Sequence, residues 1–160
     1  GILNLTKVEN QSILTNVTEY NLSEQIRLTV LLLESKWTAR NINMNIDFGE
    51  YTINANEEMM KQVWINLLDN AIKFSPEGEE ISIRISNKNE HIYVSISGKG
   101  PHIEDEEINK IFRKFYQSDS SHSTEGTGIG LALVSRIIEL HKGRIEVNSD
   151  KNINTFTVIL

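Results

Sequence analysis

The chain has 160 residues, of which 39% are hydrophobic and 24% charged, the composition of a single soluble globular domain. Acidic residues outnumber basic ones, 22 to 16, and the net charge of -6 argues against binding nucleic acid through a basic surface. The absence of cysteine excludes disulfides, thiol nucleophiles and cysteine-based metal sites. No apolar run is long enough to cross a bilayer and the chain begins without a secretory signal, so we expect it to be cytoplasmic and not embedded in a membrane.

The first predicted elements are one helix and two strands. Asn21, followed three residues later by Glu24, is a candidate N-cap pair. It opens a helix whose apolar spacing continues to about Ala39. Strict alternation around Met44 and a short apolar stretch that begins at Tyr51 predict two strands.

The most regular pattern in the chain lies between residues 57 and 74. Apolar residues at helical spacing form one stripe there and predict an amphipathic helix that faces the core: Met60, Val63, Trp64, Leu67, Leu68 and Ala71. The later patterns predict, in order, a hairpin of strands over 81–85 and 92–96, a helix over 104–112, a helix over 129–141 that stops at Gly143, and strands over 144–148 and 155–160. This order indicates the α+β class, as a two-layer α/β sandwich with a mixed, mostly antiparallel sheet covered by helices on one face.

Three polar side chains stand beside the apolar stripe of the predicted 57–74 helix. Asn66, Asn70 and Lys73 have the spacing i, i+4 and i+7, which places them within about 60° of arc. Amide oxygens suit Mg²⁺, which prefers oxygen ligands, and lysine supplies a compact positive charge for a phosphate. A solvated helix edge has the same pattern, so this spacing is weak on its own.

A glycine-rich segment opens the predicted 129–141 helix. Its residues are Gly126, Thr127, Gly128, Ile129, Gly130 and Leu131. Glycines at a helix start let backbone N–H groups approach phosphate oxygens, and the helix N-terminus favours negative charge. The segment matches neither the dinucleotide fingerprint nor the P-loop, and the alternative is a glycine-rich hinge.

In this order and spacing, the motifs resemble those of the catalytic, ATP-binding domain of two-component sensor histidine kinases, over essentially the whole chain. The matching segments are 66–74 (the N box, Asn-Leu-Leu-Asp-Asn-Ala-Ile-Lys-Phe), 98–102 (the first glycine box, Gly-Lys-Gly-Pro-His), 111–116 (the F box, Ile-Phe-Arg-Lys-Phe-Tyr) and 126–132 (the second glycine box, Gly-Thr-Gly-Ile-Gly-Leu-Ala). The resemblance implies the Bergerat fold of GHKL ATPases and kinases. It also implies that ATP binds between the helical layer and a flexible lid, which we expect over 117–125.

The resemblance assigns roles to residues as well. In the family, the position of Asn70 coordinates Mg²⁺ and that of Lys73 contacts phosphate, and these two with Asn66 are the expected catalytic residues. The other expected ATP-binding residues are Gly98, Gly100, Ile103, Phe115, Tyr116, Gly126, Thr127, Gly128, Ile129, Gly130 and Leu131. Related ATPases that hydrolyse with water carry a glutamate general base at the position of Asn66. An amide takes no proton at neutral pH, so Asn66 fits transfer of the phosphoryl group to a histidine and not to water. Positioning and charge stabilisation would supply the catalysis.

The resemblance implies partners that lie outside this chain. Residues 1–14 resemble the end of the dimerisation helix and its linker, and residues 15–160 resemble the catalytic domain, which suggests a piece of a longer, membrane-bound sensor. None of the four histidines has the sequence that surrounds a phosphoacceptor, so the acceptor is expected upstream. The expected partners are therefore the chain's own dimerisation domain, in a homodimeric parent protein, and a response regulator.

Three residues depart from the family pattern, all in the expected nucleotide site. Gly98 stands where the family has an aspartate that accepts the adenine amino group. Neither neighbour replaces it, since Ser97 is expected on the opposite face of the strand and Lys99 is a donor. His102 replaces a glycine, and we expect it to point to solvent or to pack on the loop. Gln117 replaces an arginine near the γ-phosphate.

These departures leave two functions open. Loss of a hydrogen bond to a charged group, worth about 1.5–3 kcal/mol, weakens binding roughly 10- to 150-fold. The chain is then either a working kinase domain with altered nucleotide recognition or a pseudokinase, a regulatory binding module with weak or no ATP binding. The intact N box and second glycine box favour the first. A free-standing serine kinase of the anti-sigma type fits the length, but the F box and the leading helix argue against it.

Overall fold

The sheet and its covering helices follow directly from the alternation and periodicity of the sequence. The structure, a computed structural model, describes residues 5–10, 12–113 and 130–160. In these ranges the helices are α1 (Leu5–Asn10), α2 (Leu22–Leu32), α3 (Glu34–Ala39), α4 (Glu57–Phe74), α5 (Asp105–Ile108) and α6 (Gly130–Leu140). The strands are β1 (Val17–Asn21), β2 (Asn43–Ile46), β3 (Thr52–Asn56), β4 (Glu80–Lys88), β5 (His91–Lys99), β6 (Arg144–Asp150) and β7 (Ile153–Ile159).

A five-stranded mixed sheet forms one layer, in the order β2-β4-β5-β7-β6. Strand β2 runs parallel to β4, and the other pairs are antiparallel. Along β4, Ile81, Ile83 and Ile85 are buried while Arg84 is exposed, as expected when one face packs on helices and the other faces solvent. The predicted α+β sandwich with a mostly antiparallel sheet is confirmed.

Helix α4 has the bounds that its sequence pattern predicts. It begins after Asn56, whose side chain accepts a hydrogen bond from the Met59 amide at 3.0 Å, an N-cap that satisfies one unpaired N–H group. Its apolar stripe is buried, with Trp64 and Leu68 fully excluded from solvent. Because α4 packs between α2 and α6, its position is fixed from both sides.

The N-terminal part differs from the prediction in two ways. Strand β1 pairs with β3 in a separate two-stranded sheet, and its mostly exposed residues lack the alternation that marks a half-buried strand. The predicted helix from Asn21 to Ala39 is divided at Leu33, where α2 ends and α3 begins. The indole Nε1 of Trp37 donates to the Val30 carbonyl oxygen at 2.9 Å, which also accepts from the Leu33 amide at 3.3 Å. The Asn21 cap itself is confirmed, since its Oδ1 accepts from the Glu24 amide at 2.9 Å.

Two smaller expectations are wrong. The helix predicted over 104–112 is only α5, and turns continue to residue 113. Gly143 is not the left-handed residue that ends α6. That residue is Lys142, with φ of 58°, and the Gly143 amide donates to the Ile138 carbonyl oxygen at 3.0 Å, as in a Schellman motif. Gly143 is instead required by close packing, because a Cβ there would collide with the carbonyl oxygen of Ile159.

Candidate functional site

Helix α4 carries the three predicted polar residues along one edge. Asn66, Asn70 and Lys73 are all half-buried, beside the apolar stripe and not opposite it. The ammonium group of Lys73 lies 5.6 Å from the ring centroid of Phe74, a cation–π distance. The edge therefore offers two amides and one cation at the boundary between core and solvent.

The first residue of α6 packs directly on this edge. A Cβ at Gly130 would lie 2.6 Å from Oδ1 of Asn66, so only glycine fits without displacing the amide. The Asn66 amide is itself held, because its Nδ2 donates to the Gln62 carbonyl oxygen at 2.7 Å. This contact joins the N box to the end of the second glycine box.

The first glycine box meets the other end of the same helix. Gly100 is buried, and a Cβ there would lie 3.5 Å from the carbonyl oxygen of Phe74. Phe74 and Asn66 are separated by eight residues, or about 12 Å along the helix axis. The two glycine motifs thus contact the two ends of a helical edge that carries Asn70 and Lys73 between them.

Gly98 lies in β5 on the face that the helices cover. It pairs with Ile81, which is fully buried, and directly paired residues share a face. A Cβ at residue 98 would lie 3.3 Å from Cγ1 of Ile81, so a larger side chain requires a small shift of that isoleucine. Ser97 points to the opposite face as expected, where its Oγ lies 2.8 Å from Oγ1 of Thr155.

The loop after β5 is attached to strand β6 through Ser149. The Ile103 amide donates to Oγ of Ser149 at 3.0 Å, and Nδ1 of His102 lies 3.1 Å from the same oxygen. Nε2 of His102 lies 3.9 Å from a carboxylate oxygen of Glu104. His102 therefore packs on the loop and β6, which agrees with the expected loop packing.

A buried polar network supports α4 from the side of α2. Oε1 of Gln25 accepts hydrogen bonds from the hydroxyl of Tyr20 at 2.8 Å and from Nε1 of Trp64 at 2.9 Å. Its Nε2 donates to the Glu57 carbonyl oxygen at 2.8 Å. Burial raises the pKa of Tyr20 well above its ordinary range, so the hydroxyl remains a donor. The network satisfies every polar group that these three side chains bring into the core.

His141 fixes the start of α4 from the end of α6. Its Nε2 accepts a hydrogen bond from the Asn56 amide at 3.1 Å, and its Nδ1 lies 2.8 Å from the Ile137 carbonyl oxygen. The ring therefore carries its proton on Nδ1 and is neutral. Burial lowers the pKa of His141, an effect that the hydrogen bond to Ile137 partly opposes.

Several expected site residues lie outside the described residues: Phe115, Tyr116, Gly126, Thr127, Gly128 and Ile129, together with the expected lid over 117–125. Leu131 and Ile103 are half-buried and pack against the core. Sequence reasoning missed Ser149 and Asn154, which lie beside the first glycine box. Only the strand register brings them there, and a single sequence does not give that register.

A surface concavity lies away from the α4 edge and the first glycine box. It has a volume of about 840 Å³ and lies between α6, β6 and the turns after α5. Its lining carries two acidic and two basic residues: Glu139, Lys142, Arg144 and Glu146. None of the sequence-predicted site residues within the described ranges lines it, so the α4 edge remains the candidate site.

Comparison with known proteins gives the same family from three directions. The family model described as "Histidine kinase-, DNA gyrase B-, and HSP90-like ATPase" matches residues 55–160. The sensor histidine kinase CusS of Escherichia coli O6:H1 is 29% identical over 161 residues, which cover 99% of this chain and 34% of CusS. The adaptive-response sensory kinase SasA of Prochlorococcus marinus is 39% identical over 140 residues, 85% of this chain and 37% of SasA.

Solved structures give the same result. The nucleotide-free catalytic domain of histidine kinase ThkA matches with a TM-score of 0.83 and 32% identity, over 91% of this chain and 95% of that one. ThkA in complex with the response regulator protein TrrA matches with a TM-score of 0.76 and 28% identity, over 90% of this chain and 41% of that one. The chain spans about a third of the length of the curated relatives named above. Within the described ranges, no helix has the length and apolar character needed to cross a membrane.

Proposed function

The chain belongs to the histidine kinase-, DNA gyrase B- and HSP90-like ATPase family, with the fold of a sensor histidine kinase catalytic domain, and we propose that it transfers the γ-phosphate of ATP to a histidine. The observation that carries this proposal is the edge of α4. Asn70 and Lys73 lie there between the contacts of Gly130 with Asn66 and of Gly100 with Phe74. An extended polyanionic ligand along this edge would meet two amides and a cation.

The residues of this edge fit a magnesium-bound triphosphate. Asn70 is half-buried, and within the described residues its side chain makes no hydrogen bond, so its amide oxygen is available as a hard ligand of the kind Mg²⁺ prefers. Bound Mg²⁺ would neutralise charge on the phosphate oxygens. Lys73 would add a positive charge near the same oxygens. We assign Mg²⁺ binding to Asn70 and phosphate binding to Lys73.

We assign Asn66 a positioning role at the contact between α4 and α6, and no role in proton transfer. Its Oδ1 packs on Gly130, and its Nδ2 is bonded to the Gln62 carbonyl oxygen. An amide is not a general base at neutral pH, so Asn66 would not activate water. This favours transfer to a histidine over hydrolysis, with positioning and charge stabilisation supplying the catalysis.

The histidine would come from a dimerisation domain that precedes this chain. We assign residues 1–14 to the end of that domain's helix and the linker, and residues 15–160 to the catalytic domain. Helix α1 packs against α6 with Val8 fully buried. The full protein would be a homodimeric, membrane-bound sensor with this domain in the cytoplasm. Its phosphoryl group would pass to a response regulator, as the ThkA–TrrA complex suggests.

A second function is a pseudokinase that keeps the fold without productive use of ATP. Gly98 favours it, because this residue offers no side chain to a base. The retained α4 edge and the attachment of His102 to the loop and β6, through Ser149, favour the kinase.

A phosphotransfer assay separates the two functions. The catalytic chain is mixed with the dimerisation domain of its parent protein and γ-labelled Mg-ATP, and acid-labile phosphohistidine is measured. We expect labelling, and we expect Asn70→Ala to reduce its rate by about 100-fold or more, the usual order when one preorganised charge-stabilising group is lost. Asn87→Ala, exposed at the far end of β4, is the matched control and should label normally.

The other outcomes are equally clear. Nucleotide binding without labelling would replace the kinase proposal with the pseudokinase. Equal labelling by Asn70→Ala and Asn87→Ala would remove Asn70 from the catalytic residues. Absence of both nucleotide binding and labelling would overturn the proposed function.

A further inference from the structure

The chain leaves α4 through a residue whose backbone is bonded on both sides. Ser75, the C-cap of α4, is fully buried and extended, with φ of -75° and ψ of 134°. Its amide donates to the Ala71 carbonyl oxygen at 3.0 Å and so closes the last turn of the helix. Its carbonyl oxygen accepts a hydrogen bond from Nη2 of Arg40. The last turn of α4 is therefore tied to a residue outside the helix.

The turn that follows Ser75 is bound to the same stretch of chain. The Gly78 amide donates to the carbonyl oxygen of Arg40 at 3.0 Å, and Nδ2 of Asn41 donates to a carboxylate oxygen of Glu77 at 3.0 Å. Arg40 thus holds the exit from α4 through its side chain at Ser75 and through its backbone at Gly78. A substitution of Arg40 removes only the first of these bonds, because the second is made by the backbone.

The guanidinium group of Arg40 serves the bond to Ser75 and forms no ion pair within the described residues. Its Nε is shielded from solvent and has no hydrogen-bond partner there. The group stays charged, because arginine does not lose its proton in proteins. A hydrogen bond from a charged donor is roughly twice as strong as a neutral one, and a cation is favourable at the C-terminal end of a helix. The bond to Ser75 is therefore a strong contact at the end of α4.

A second cation of the same segment contacts α4 earlier in the helix. Nζ of Lys36 lies 2.8 Å from Oδ1 of Asp69, and side chains four positions apart, like those of Lys36 and Arg40, lie on one side of a helix. The side chains of Lys36 and Asp69 are 55% and 45% exposed, and exposed ion pairs contribute little. The two contacts flank Asn70 and Lys73, and the contact of Arg40 is the stronger one.

Lys73 depends on the last turn of α4 in a way that Asn66 does not. Lys73 lies two residues before Ser75, in the turn that the Ser75 amide closes. The last carbonyl groups of a helix lack partners within it, so helix ends fray unless they are held from outside. Asn66 lies nine residues before Ser75, about 13.5 Å along the axis, and packs on Gly130 at the start of α6. Loss of the Arg40 bond would therefore displace Lys73 and leave Asn66 in place.

We propose that Arg40 is a positioning residue of the nucleotide site: its bond to Ser75 fixes the last turn of α4 and, with it, the ammonium group of Lys73. Arg40 acts through Ser75, and we assign it no contact with the nucleotide. This inference rests on the proposed function, in which Lys73 binds phosphate. It adds to that site a residue from the segment after α3, 33 positions before Lys73 in the sequence.

A double-mutant cycle tests the proposal. Mg-ATP is titrated calorimetrically into the unsubstituted chain, Arg40→Met, Lys73→Met and the double variant. We expect Lys73→Met to weaken binding by about 10- to 150-fold, the effect of losing a charged hydrogen bond. We expect Arg40→Met to weaken it by about 3- to 10-fold, within the range of coupling between neighbouring residues. The double variant should bind as Lys73→Met does, because the position of an absent ammonium group no longer matters.

A purely structural role of Arg40 would give a different pattern. It would weaken binding by the same factor with and without Lys73. As a second cycle, Arg40→Met and Asn66→Ala should act additively, because the Asn66 end of α4 is held by Gly130. Coupling of Arg40 with Lys73 but not with Asn66 separates positioning of the last turn from a general loss of stability.

Matched variants keep the test decisive. Arg84→Met also removes an exposed arginine that donates to a backbone carbonyl oxygen, that of Asn45 at 3.0 Å, on the solvent face of the sheet, and should leave binding unchanged. Arg40→Met should speed hydrogen exchange at the Ser75 amide, and Arg84→Met should not. Arg40→Lys keeps the charge but not the planar set of donors, so it should weaken binding less. It replaces Arg40→Met in the cycle if that variant does not fold.

The failure of this inference differs from the failure of the proposed function. If the chain binds Mg-ATP and Lys73→Met weakens binding, only the positioning proposal is overturned by an effect of Arg40→Met that is absent or that is the same without Lys73. Unchanged exchange at the Ser75 amide overturns it as well. If the unsubstituted chain does not bind Mg-ATP, or if Lys73→Met binds it equally well, the proposed phosphate site is overturned along with the inference.

Discussion

The two ends of the candidate site are held in different ways. The α4 end is carried by a regular helix whose buried stripe includes Trp64 and Leu68. The loop after β5 is held by two residues of a hairpin that is distant in sequence: Ser149 accepts a hydrogen bond from the Ile103 amide, and Asn154 donates one to the Pro101 carbonyl oxygen. Burial of a whole stripe is shared among many residues, whereas the loop depends on a few polar contacts. Of the departures from the family pattern, His102 lies in this loop, whereas Gly98 lies in β5, which is paired with strands on both sides.

The largest expected effect comes from the core beneath the α4 end. Leu68→Ala removes a fully buried side chain and should lower the free energy of unfolding by about 2–5 kcal/mol, measured by urea denaturation. Leu31→Ala is the matched control, since Leu31 is 61% exposed and its loss should change stability by no more than about 0.5 kcal/mol. Equal effects of the two substitutions would contradict the assignment of α4 to the core.

The second largest effect is expected from the buried hydrogen-bond network of Gln25, which supports α4 from the side of α2. Gln25→Leu leaves the Tyr20 hydroxyl and the Trp64 Nε1 without their shared acceptor and should cost about 2–4 kcal/mol of unfolding free energy. Adding Tyr20→Phe removes one of the stranded donors. The double variant should therefore lose less stability than the sum of the two single variants. Strict additivity would mean that the three side chains do not act as one network.

A smaller effect is expected at the loop. Ser149→Ala should lower the free energy of unfolding by about 0.5–1.5 kcal/mol and speed hydrogen exchange at the Ile103 amide, which loses its acceptor. Ser97→Ala also removes a serine hydroxyl from the sheet, but on the opposite face against Thr155. Faster exchange at Ile103 in Ser97→Ala, or unchanged exchange in Ser149→Ala, would contradict the proposed support of the loop.

The smallest effect is a pH dependence. The folded state lowers the pKa of His141 below its ordinary value of 6.5, so the unfolded chain binds a proton at that residue before the folded chain does. The contribution of His141 to the free energy of unfolding is therefore fully present above about pH 6.5. It is lost as the pH falls toward the lower pKa of the folded state. His141→Gln should show a shallower fall in unfolding free energy between about pH 7 and 5. Parallel curves for the two proteins would argue against this titration.

The sequence predicts the α4 end better than the loop for a physical reason. Helical periodicity between residues 57 and 74 is a local signal, and α4 has the predicted bounds. The placement of Asn66, Asn70 and Lys73 on the edge of its stripe follows from that periodicity, while their roles remain proposals. The fold class and the family resemblance are confirmed.

The contacts that the sequence did not predict depend on distant pairing. Strand β1 has few buried residues and forms by pairing with β3, so its own sequence carries little signal. The position of Asn154 opposite Gly98 requires the register between β5 and β7. The break at Leu33 is accompanied by a hydrogen bond from Trp37 to Val30, which helical spacing does not reveal.

The most direct test of the whole account is a calorimetric titration of Mg-ATP into the unsubstituted chain and into Gly98→Asp. A Cβ at residue 98 lies 3.3 Å from Ile81 Cγ1, which a small shift of that side chain accommodates. If the site binds nucleotide without a side chain at residue 98, the unsubstituted chain binds Mg-ATP and the aspartate changes the dissociation constant by less than about tenfold, or 1.4 kcal/mol. Binding that is absent in the unsubstituted chain and restored by Gly98→Asp would contradict the account and identify Gly98 as the residue that disables the site.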